Sequence, residues 1–307
     1  MAAAPRSTES RSVCVIVNPA AGGGRGDGAA EGLRELFAKH GARIDVAMAR
    51  ASDDVKAIAR RAVERGDALL VVAGGDGTLA AAASVLSGTP TALGIIPIGT
   101  FNHFAKDVGI PMDPSAAAQA ALGGGRRAVD VGEVNGQVFL NNSSLGIYPD
   151  MVRERTRQQT RLGRGRRWAT VWAVIAALRR FPFLELRLEI DAQRHDCRAP
   201  FVFVGNNAYS MSAFDIGKRA RLDEGLLSIY TSPRSTRPAL VALALRALFG
   251  RLRQAKDFAT TSARSLRVES RHRQLLVATD GEIAHMATPL EFTVRPRALQ
   301  VAVPREG

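Results

Sequence analysis

Short apolar runs alternate with segments of helical periodicity along the first third of the chain. Apolar runs at 13–18, 43–49, 69–73 and 91–99 predict buried strands. Helices are predicted between and after them, at 28–41, 52–66, 78–87, 100–107 and 114–124. This order predicts a parallel sheet covered by helices on both faces. Ligands of such sheets bind beyond the carboxyl ends of the strands.

After about residue 128 the pattern becomes one that is typical of antiparallel strands. An Asn-Gly pair at 135–136, between two strand-like runs, indicates a hairpin. Further strands, several of them alternating apolar and polar residues, are predicted at 183–192, 199–207, 226–232, 264–270, 274–282 and 290–304. Two helical insertions are expected at about 150–180 and 237–254.

Composition places the chain in the soluble globular class, with 307 residues, 46% hydrophobic and 23% charged. The net charge of +13 favours an anionic partner, such as nucleic acid, a membrane surface or a phosphorylated ligand. Cys14 and Cys197 have neither metal-site nor redox spacing, which indicates a reducing compartment. We expect residues 1–11 to be a disordered tail without a secretory signal. The apolar stretch 168–178 is shorter than the roughly 20 residues that span a bilayer, so no integral membrane protein is expected.

Glycine-rich turns follow three of the predicted parallel strands. They read VNPAAGGGRG at 17–26, AGGDGT at 73–78 and PIGTFNH at 97–103. In a parallel sheet all three lie along one edge, where glycine lets the backbone approach a phosphate and the next helix presents free N–H groups. Neither the GxxxxGK[ST] nor the GxGxxG fingerprint is present, so the turns predict a phosphate site of another type.

The motifs NPxxG, GGDGT and GTxN at these spacings resemble the diacylglycerol kinase catalytic-domain family, which includes soluble bacterial lipid kinases and the sphingosine and ceramide kinases. Segments 139–147, 205–230 and 278–284 extend the resemblance over about residues 12–304. It implies an α/β, parallel-sheet nucleotide domain of the NAD kinase/diacylglycerol kinase type at 12–131, to which 290–307 returns. It also implies an antiparallel β-sandwich-like lipid or substrate domain at 132–289, with the nucleotide in the cleft between the domains.

The resemblance also implies a nucleotide-binding role for residues in each glycine-rich turn. These are Asn18, Pro19, Gly22, Gly23, Gly24, Gly74, Gly75, Asp76, Gly77, Thr78, Gly99, Thr100 and Asn102. Asp76 is expected to hold Mg²⁺ through water or to orient loop donors, since a carboxylate repels phosphate. The alternative for Asp76 is a turn residue that bonds its own backbone.

Two further acids resemble magnesium ligands of the family. Asp130 resembles a member of a magnesium–water network between the domains, and its alternative is a solvated aspartate at a strand end. Glu224 stands where relatives often have an aspartate that binds a structural Mg²⁺, and its alternative is a loop acid without a metal.

Asp280, Gly281 and Glu282 resemble the catalytic Asp-Gly-Glu of the family. In an extended chain positions i and i+2 point the same way, so both carboxylates are expected to face one site. The resemblance favours Glu282 as the general base for a lipid hydroxyl and Asp280 as its partner, although the residues alone do not order the two. The alternative is a plain Asp-Gly hairpin turn.

Further positions depart from the family pattern. His103 replaces the acid of GTxND, and Ala80 and Ala81 replace the Asn-Glu that usually follows GGDGT-Leu. The resemblance implies that these changes remove a negative charge beside the phosphates and a polar contact to the nucleotide.

The segment 151–172 is rich in arginine and also contains Trp168 and Trp172. Such a composition predicts peripheral contact with an anionic membrane surface at its cytoplasmic, inner face. An exposed basic face is the alternative. Nucleic-acid binding is not expected, because the arginines lack interleaved strand aromatics. A homodimer is a further candidate assembly.

The function predicted from these features is an ATP-dependent lipid kinase, with ATP and Mg²⁺ as cofactors and diacylglycerol or a related lipid as acceptor. One alternative is NAD kinase, whose related fold also uses GGDG. Another is a non-catalytic nucleotide or lipid sensor on the kinase fold, which the departures at His103, Ala80 and Ala81 motivate.

Overall fold

The computed structural model describes residues 12–19, 26–146, 183–210, 218–219, 221–231 and 259–305. The expected tail, both helical insertions and the arginine- and tryptophan-rich segment 151–172 lie outside the described residues. So do Gly22, Gly23 and Gly24 of the first glycine-rich turn.

The chain divides into two compact units, one of residues 1–128 and 299–307 and the other of residues 129–298. The first unit contains these elements: β1 (Val13–Val17), α1 (Gly26–Lys39), β2 (Ile44–Met48), α2 (Ser52–Glu64), β3 (Leu69–Gly74), α3 (Asp76–Leu86), β4 (Ala92–Pro97), α4 (His103–Asp107) and α5 (Pro114–Gly123). Strands β2, β1, β3 and β4 pair in that order, all parallel.

The helices of the first unit pack closely because their inner faces are small. Alanines make up half of the buried positions of α3 and all of those of α5. Strands β3 and β4 are buried over nearly their whole length and are rich in branched apolar residues, as expected of a parallel sheet. Gly124 ends α5 where a Cβ would lie 2.0 Å from the carbonyl oxygen of Val303, so only glycine fits there.

The second unit is built from strands. They are β5 (Gly125–Val134, which starts in the first unit), β6 (Gln137–Phe139), β7 (Asn142–Gly146), β8 (Leu184–Ile190), β9 (Gln193–Ala199), β10 (Phe201–Asn206), β11 (Tyr209–Ser210), β12 (Lys218–Arg219), β13 (Leu227–Thr231), β14 (Ala259–Ala263), β15 (Ser265–Ser270), β16 (Gln274–Thr279), β17 (Glu282–Ala287) and β18 (Leu290–Val303). The last of these, β18, ends in the first unit, where Val301 pairs with Leu93 in parallel.

Two antiparallel sheets enclose the core of the second unit. One runs β14-β13-β10-β7-β16-β17, and the other runs β18-β15-β8-β9, with β5 paired to β18 and β6 paired to β5. Leu145, Val204 and Val277 of the first sheet share one apolar cluster with Val268 and Phe292 of the second. This is a β-sandwich, and together with the parallel sheet of the first unit it confirms the predicted fold class.

Candidate active site

The described residues that follow β1, β3 and β4 lie at one edge of the sheet, because these strands are neighbours and run parallel. The backbone N–H of Asn18 donates to the carbonyl of Ala73 at 3.1 Å. The Asn18 side chain donates from Nδ2 to Oγ1 of Thr78 at 3.0 Å. The structure therefore brings together predicted residues of the first and second turns, joined by hydrogen bonds at the start of α3.

The second and third turns meet backbone to backbone. A Cβ added to Gly99 would lie 2.4 Å from Cα of Gly75 and 2.6 Å from Oδ1 of Asn102. A Cβ on Gly74 would lie 2.7 Å from Cβ of Thr78. The glycines at 74 and 99 are therefore required by close approach within the protein itself.

Asp76, the first residue of α3, binds the third turn. Its Oδ2 accepts from the backbone N–H of His103 at 3.2 Å, and its Oδ1 accepts from that of Phe104 at 3.0 Å. These N–H groups open α4, where no intrahelical acceptor exists for them. Asp76 thus orients the backbone of a loop 27 residues further along the chain and does not merely bond its own turn.

Asn102 is 7% exposed and holds the third turn in shape. It adopts the left-handed conformation, with φ of 52°, and its Nδ2 donates to the carbonyls of Gly99 at 2.9 Å and Pro97 at 3.3 Å. Its Oδ1 is buried and accepts no hydrogen bond within the part of the chain that the structure describes. Thr100, by contrast, is exposed.

His103 presents its ring to solvent, not to Asp76. The ring stacks on Phe101 with centroids 5.5 Å apart and planes at 11°, and Phe101 is itself 49% exposed. Only the backbone of His103 bonds Asp76. Sequence reasoning overlooked Phe101, because a single aromatic residue in a turn carries no pattern.

The geometry expected for Asp280 and Glu282 is wrong. Residues 280 and 281 are the two central residues of a hairpin turn between β16 and β17, in which Thr279 pairs with Glu282. Asp280 and Gly281 have φ of 47° and 87°. Positive φ at both positions is the preference of an Asp-Gly turn, so the chain is not extended here and the i, i+2 argument does not apply. Glu282 is exposed as the first residue of β17.

The Asp280 carboxylate is directed at the backbone of the segment before and at the start of β7. It accepts from the N–H groups of Leu140 at 2.6 Å, Asn141 at 2.8 Å and Asn142 at 3.1 Å. Asp280 as a whole residue is partly exposed, but its carboxylate is buried. Burial raises the pKa of this carboxylate to about 6. The three amide bonds and the charge of Arg219 act in the opposite direction and limit the rise.

Asp130 is 1% exposed, so the solvated alternative for it is wrong. It lies within β5, and its carboxylate accepts from the backbone N–H of Gly225 at 2.6 Å and of Arg297 at 2.8 Å. Its own N–H donates to the carbonyl of Leu222 at 2.7 Å. Asp130 therefore fixes the loop that carries Glu224, whose side chain is exposed.

The two parts of the chain match two family models. Residues 12–134 match the diacylglycerol kinase catalytic domain, and residues 148–303 match the YegS C-terminal NAD kinase beta sandwich-like domain. The chain belongs to the diacylglycerol kinase and YegS-like family. The resemblance predicted from the sequence is therefore confirmed.

Relatives in this family align over most of the chain. A protein named "Diacylglycerol kinase" from Mycobacterium tuberculosis (strain ATCC 25618 / H37Rv) is 29% identical over 98% of this chain and 98% of its own. A "Probable lipid kinase YegS-like" from Pseudomonas syringae pv. tomato (strain ATCC BAA-871 / DC3000) is 32% identical over 89% of each. A solved structure titled as a diacylglycerol kinase from Bacillus anthracis str. Sterne shares the fold, with a TM-score of 0.67, 21% identity and coverage of 96% of this chain and 98% of that one.

The described residues contain no cluster of side chains typical of a metal site. Among the described residues, no three or more His, Cys, Asp or Glu side chains lie close enough to hold a metal ion. The carboxylates of Asp76, Asp130 and Asp280 each accept backbone N–H groups. The assignment of Asp76, Asp130 and Glu224 to magnesium stays a prediction.

A buried polar network surrounds Arg219, and no sequence pattern indicated it. Arg219 is 5% exposed and bonds Asn141 and the carbonyls of Leu140 and Asn206. Arginine is ordinarily a surface residue, so no pattern indicates its burial.

In the described ranges no helix has both the length and the apolar character to cross a bilayer.

Proposed function

We propose that this protein is an ATP-dependent lipid kinase that transfers the γ-phosphate to a hydroxyl of diacylglycerol or a related lipid. The family membership supports kinase chemistry, and its named relatives support a lipid acceptor. The observation that carries the proposal is the backbone contact between Gly75 and Gly99, which places two glycine-rich turns side by side at the carboxyl ends of β3 and β4. Such an edge is where sheets of this kind bind their ligands.

The first unit supplies groups suited to a triphosphate. The first-turn N–H groups of α3, from Asp76 to Thr78, have no intrahelical acceptor and lie at the positive end of the helix dipole. Asn18 and Thr78 place an amide and a hydroxyl beside them. The buried Oδ1 of Asn102 is an acceptor suited to a nucleotide hydroxyl or a bound water. These groups fit an anion that approaches the backbone closely.

Mg²⁺ is proposed as the partner of ATP, because it offsets the triphosphate charge. Mg²⁺ in such sites is bound by substrate phosphates and waters with one or two carboxylates, so it needs no cage of protein ligands. Asp76 is the carboxylate of the first unit beside the proposed phosphate loops. With both oxygens engaged by His103 and Phe104, it reaches the ion through water.

Glu282 is proposed as the general base. Its carboxylate accepts the proton of the lipid hydroxyl as that oxygen bonds the γ-phosphorus and the bond from phosphorus to the ADP oxygen breaks. Asp280 holds the turn that precedes Glu282, because its own carboxylate is taken up by three backbone N–H groups. The two acids therefore have different roles.

The experiment that tests this function is transfer of label from γ-labelled ATP, in Mg²⁺, to a total bacterial lipid extract and to NAD. Glu282→Gln is assayed beside Glu185→Gln, a matched control on β8 whose side chain is 60% exposed and pairs with Arg271 at 3.4 Å. We expect label in an organic-phase product that is lost in Glu282→Gln and kept in Glu185→Gln. Full activity in Glu282→Gln would contradict the role of Glu282.

The same assay separates the other functions. Label in NADP would support NAD kinase instead. Nucleotide binding without transfer to either acceptor would support the sensor, and His103→Asp would then test whether the lost acid explains it.

Peripheral contact with an anionic membrane surface, at the cytoplasmic face, is proposed from the arginines of 151–172. Co-sedimentation with vesicles that contain anionic lipid should exceed that with neutral vesicles and should fall as salt rises. Equal binding to both would contradict it. A homodimer is testable by light scattering on the same sample.

A further inference from the structure

Arg219 is a buried cation in the second unit. It lies on the short strand β12, paired with Tyr209 of β11, and is 5% exposed. Its Nη1 donates to the carbonyls of Leu140 at 2.6 Å and Asn206 at 3.0 Å, and its Nη2 donates to Oδ1 of Asn141 at 2.9 Å. The guanidinium carbon also lies 5.4 Å from the ring centroid of Tyr209. Removing a charge from water is costly unless its donors are bonded, and these acceptors meet that need.

The segment 140–142 is held from its carbonyl side by this network. Besides Arg219, Nδ2 of Asn206 donates to the carbonyl of Leu140 at 3.0 Å. The hydroxyl of Tyr209 donates to the carbonyl of Asn141 at 2.8 Å. Three side chains, from β10, β11 and β12, therefore fix two successive carbonyls.

Asp280 holds the same segment from its amide side. Its carboxylate accepts all three N–H groups of Leu140, Asn141 and Asn142, and its own N–H donates to the carbonyl of Asn142 at 2.9 Å. The hairpin turn is thus tied to 140–142 through both a side chain and a backbone group. A displacement of 140–142 is therefore expected to move Asp280. It should also move Glu282, which lies two residues further along the same turn.

Resting on the function proposed above, we propose that Arg219 is a positioning residue for phosphoryl transfer. It acts through Leu140 and Asn141 on the Asp280 turn and thereby sets the place of Glu282. Arg219 touches neither nucleotide nor lipid in this role. Its charge also favours the ionised carboxylate of Asp280, the form that accepts the three amides.

The test compares Arg219→Met and Arg219→Lys with the matched control Arg221→Met in the full chain. Arg221 lies two residues away, has a side chain 62% exposed and pairs with Asp223 at 3.4 Å. Hydrogen exchange of peptides that cover 140–142 is measured without substrate, and kcat and KM are measured with ATP and the lipid extract.

Arg219→Met is expected to speed exchange at 140–142 about tenfold, because buried carbonyls lose their donors. We expect kcat to fall by about tenfold to a hundredfold through misplacement of the base, with KM for ATP changed less than about twofold. Arg219→Lys should recover part of kcat, and Arg221→Met should match the wild type. The acid limb of the kcat profile should move to higher pH in Arg219→Met only, because the charge that lowers the pKa of Asp280 is lost.

Unchanged exchange at 140–142 would overturn the proposal, as would faster exchange spread evenly over the second unit with kcat preserved. If Arg219→Met does not fold, Asn141→Ala removes one acceptor of the guanidinium and is judged by the same measurements. If the wild-type protein transfers no phosphate, the proposed function fails. The exchange data then still show whether Arg219 holds this segment.

Discussion

The two units build their candidate sites in opposite ways. In the first unit the loops after β3 and β4 are shaped by the absence of side chains, because Gly75 and Gly99 meet backbone to backbone. In the second unit the segment 140–142 is shaped by buried polar side chains, with Arg219 and Asp280 on its two sides. The glycine-rich loops of the first unit leave backbone N–H groups available for a ligand. In the segment 140–142, by contrast, the backbone N–H and carbonyl groups are bonded to side chains of the second unit. Under the proposed function, this difference assigns nucleotide binding to the first unit and the positioning of Glu282 to the second.

The largest effect is expected where a side chain is added to the glycine contact. Gly99→Ala would place Cβ 2.4 Å from Cα of Gly75, so a backbone must move. We expect unfolding free energy to fall by about 3 kcal/mol or more and ATP affinity to be lost. Denaturant unfolding and binding of a fluorescent ATP analogue measure the two effects.

The matched control for that change is Gly123→Ala at the end of α5. A Cβ there would meet nothing within 4 Å, so ATP affinity should stay at the wild-type value. Stability should not fall and should rise by up to about 1 kcal/mol, because alanine favours a helix over glycine. Equal losses in the two variants would show that close approach is not what requires glycine at Gly99.

The second effect concerns the buried acid of the second unit. The folded pKa of Asp280, about 6, exceeds the unfolded value of about 3.9. Such a group adds stability that is present below about pH 4 and is lost as pH rises through about 6. We expect the wild type to lose about 3 kcal/mol relative to Asp280→Asn between these pH values.

Urea unfolding of the wild type and Asp280→Asn, at intervals from pH 4 to pH 7, measures this difference. Parallel stability curves for the two proteins would contradict the raised pKa. They would also weaken the contrast between a binding unit and a positioning unit.

A smaller effect is expected at Asp76, which links two loops of the first unit. Asp76→Ala leaves the N–H groups of His103 and Phe104 without their acceptor. We expect a loss of about 1–2 kcal/mol in unfolding free energy, together with weaker ATP binding.

Asp113→Ala is the control for that loss. Asp113 caps α5 by accepting from the N–H of Ala116 at 2.9 Å, so its removal should cost about 1 kcal/mol and leave ATP affinity unchanged. Calorimetry on both variants would separate a cap with a binding role from a cap without one. Unchanged ATP affinity in Asp76→Ala would place Asp76 in the second group.

The smallest effect is expected for a charge on the exposed side chain at the start of α4. His103→Asp adds a negative charge beside the proposed phosphate loops, which should weaken ATP binding by less than about 1 kcal/mol and less still at high salt. His195→Asp makes the same exposed change on β9 of the second unit and should leave ATP affinity unaltered. Equal effects would indicate a general charge effect and no special place for His103.

The same contrast explains what could be predicted from the sequence. The parallel strands and their glycine turns follow from local patterns, and so does the antiparallel sandwich. The i, i+2 argument for Asp280 and Glu282 failed because an Asp-Gly pair prefers positive φ at both residues. Arg219 could not be predicted, because its partner Leu140 is 79 residues away and no local pattern records such a bond.

Strand β18 carries a consequence for synthesis of the chain. Its first residues belong to the second unit, while residues 299–303 complete the first, where Val301 lies beside Leu93. The second unit is therefore inserted into the first, which is discontinuous in sequence as a result. On the ribosome the inserted unit can close first, whereas the glycine-turn unit waits for the strand that emerges after it. A stop codon just before Leu299 would leave the first unit, although most of it is translated first, without the strand residues that pair with β4.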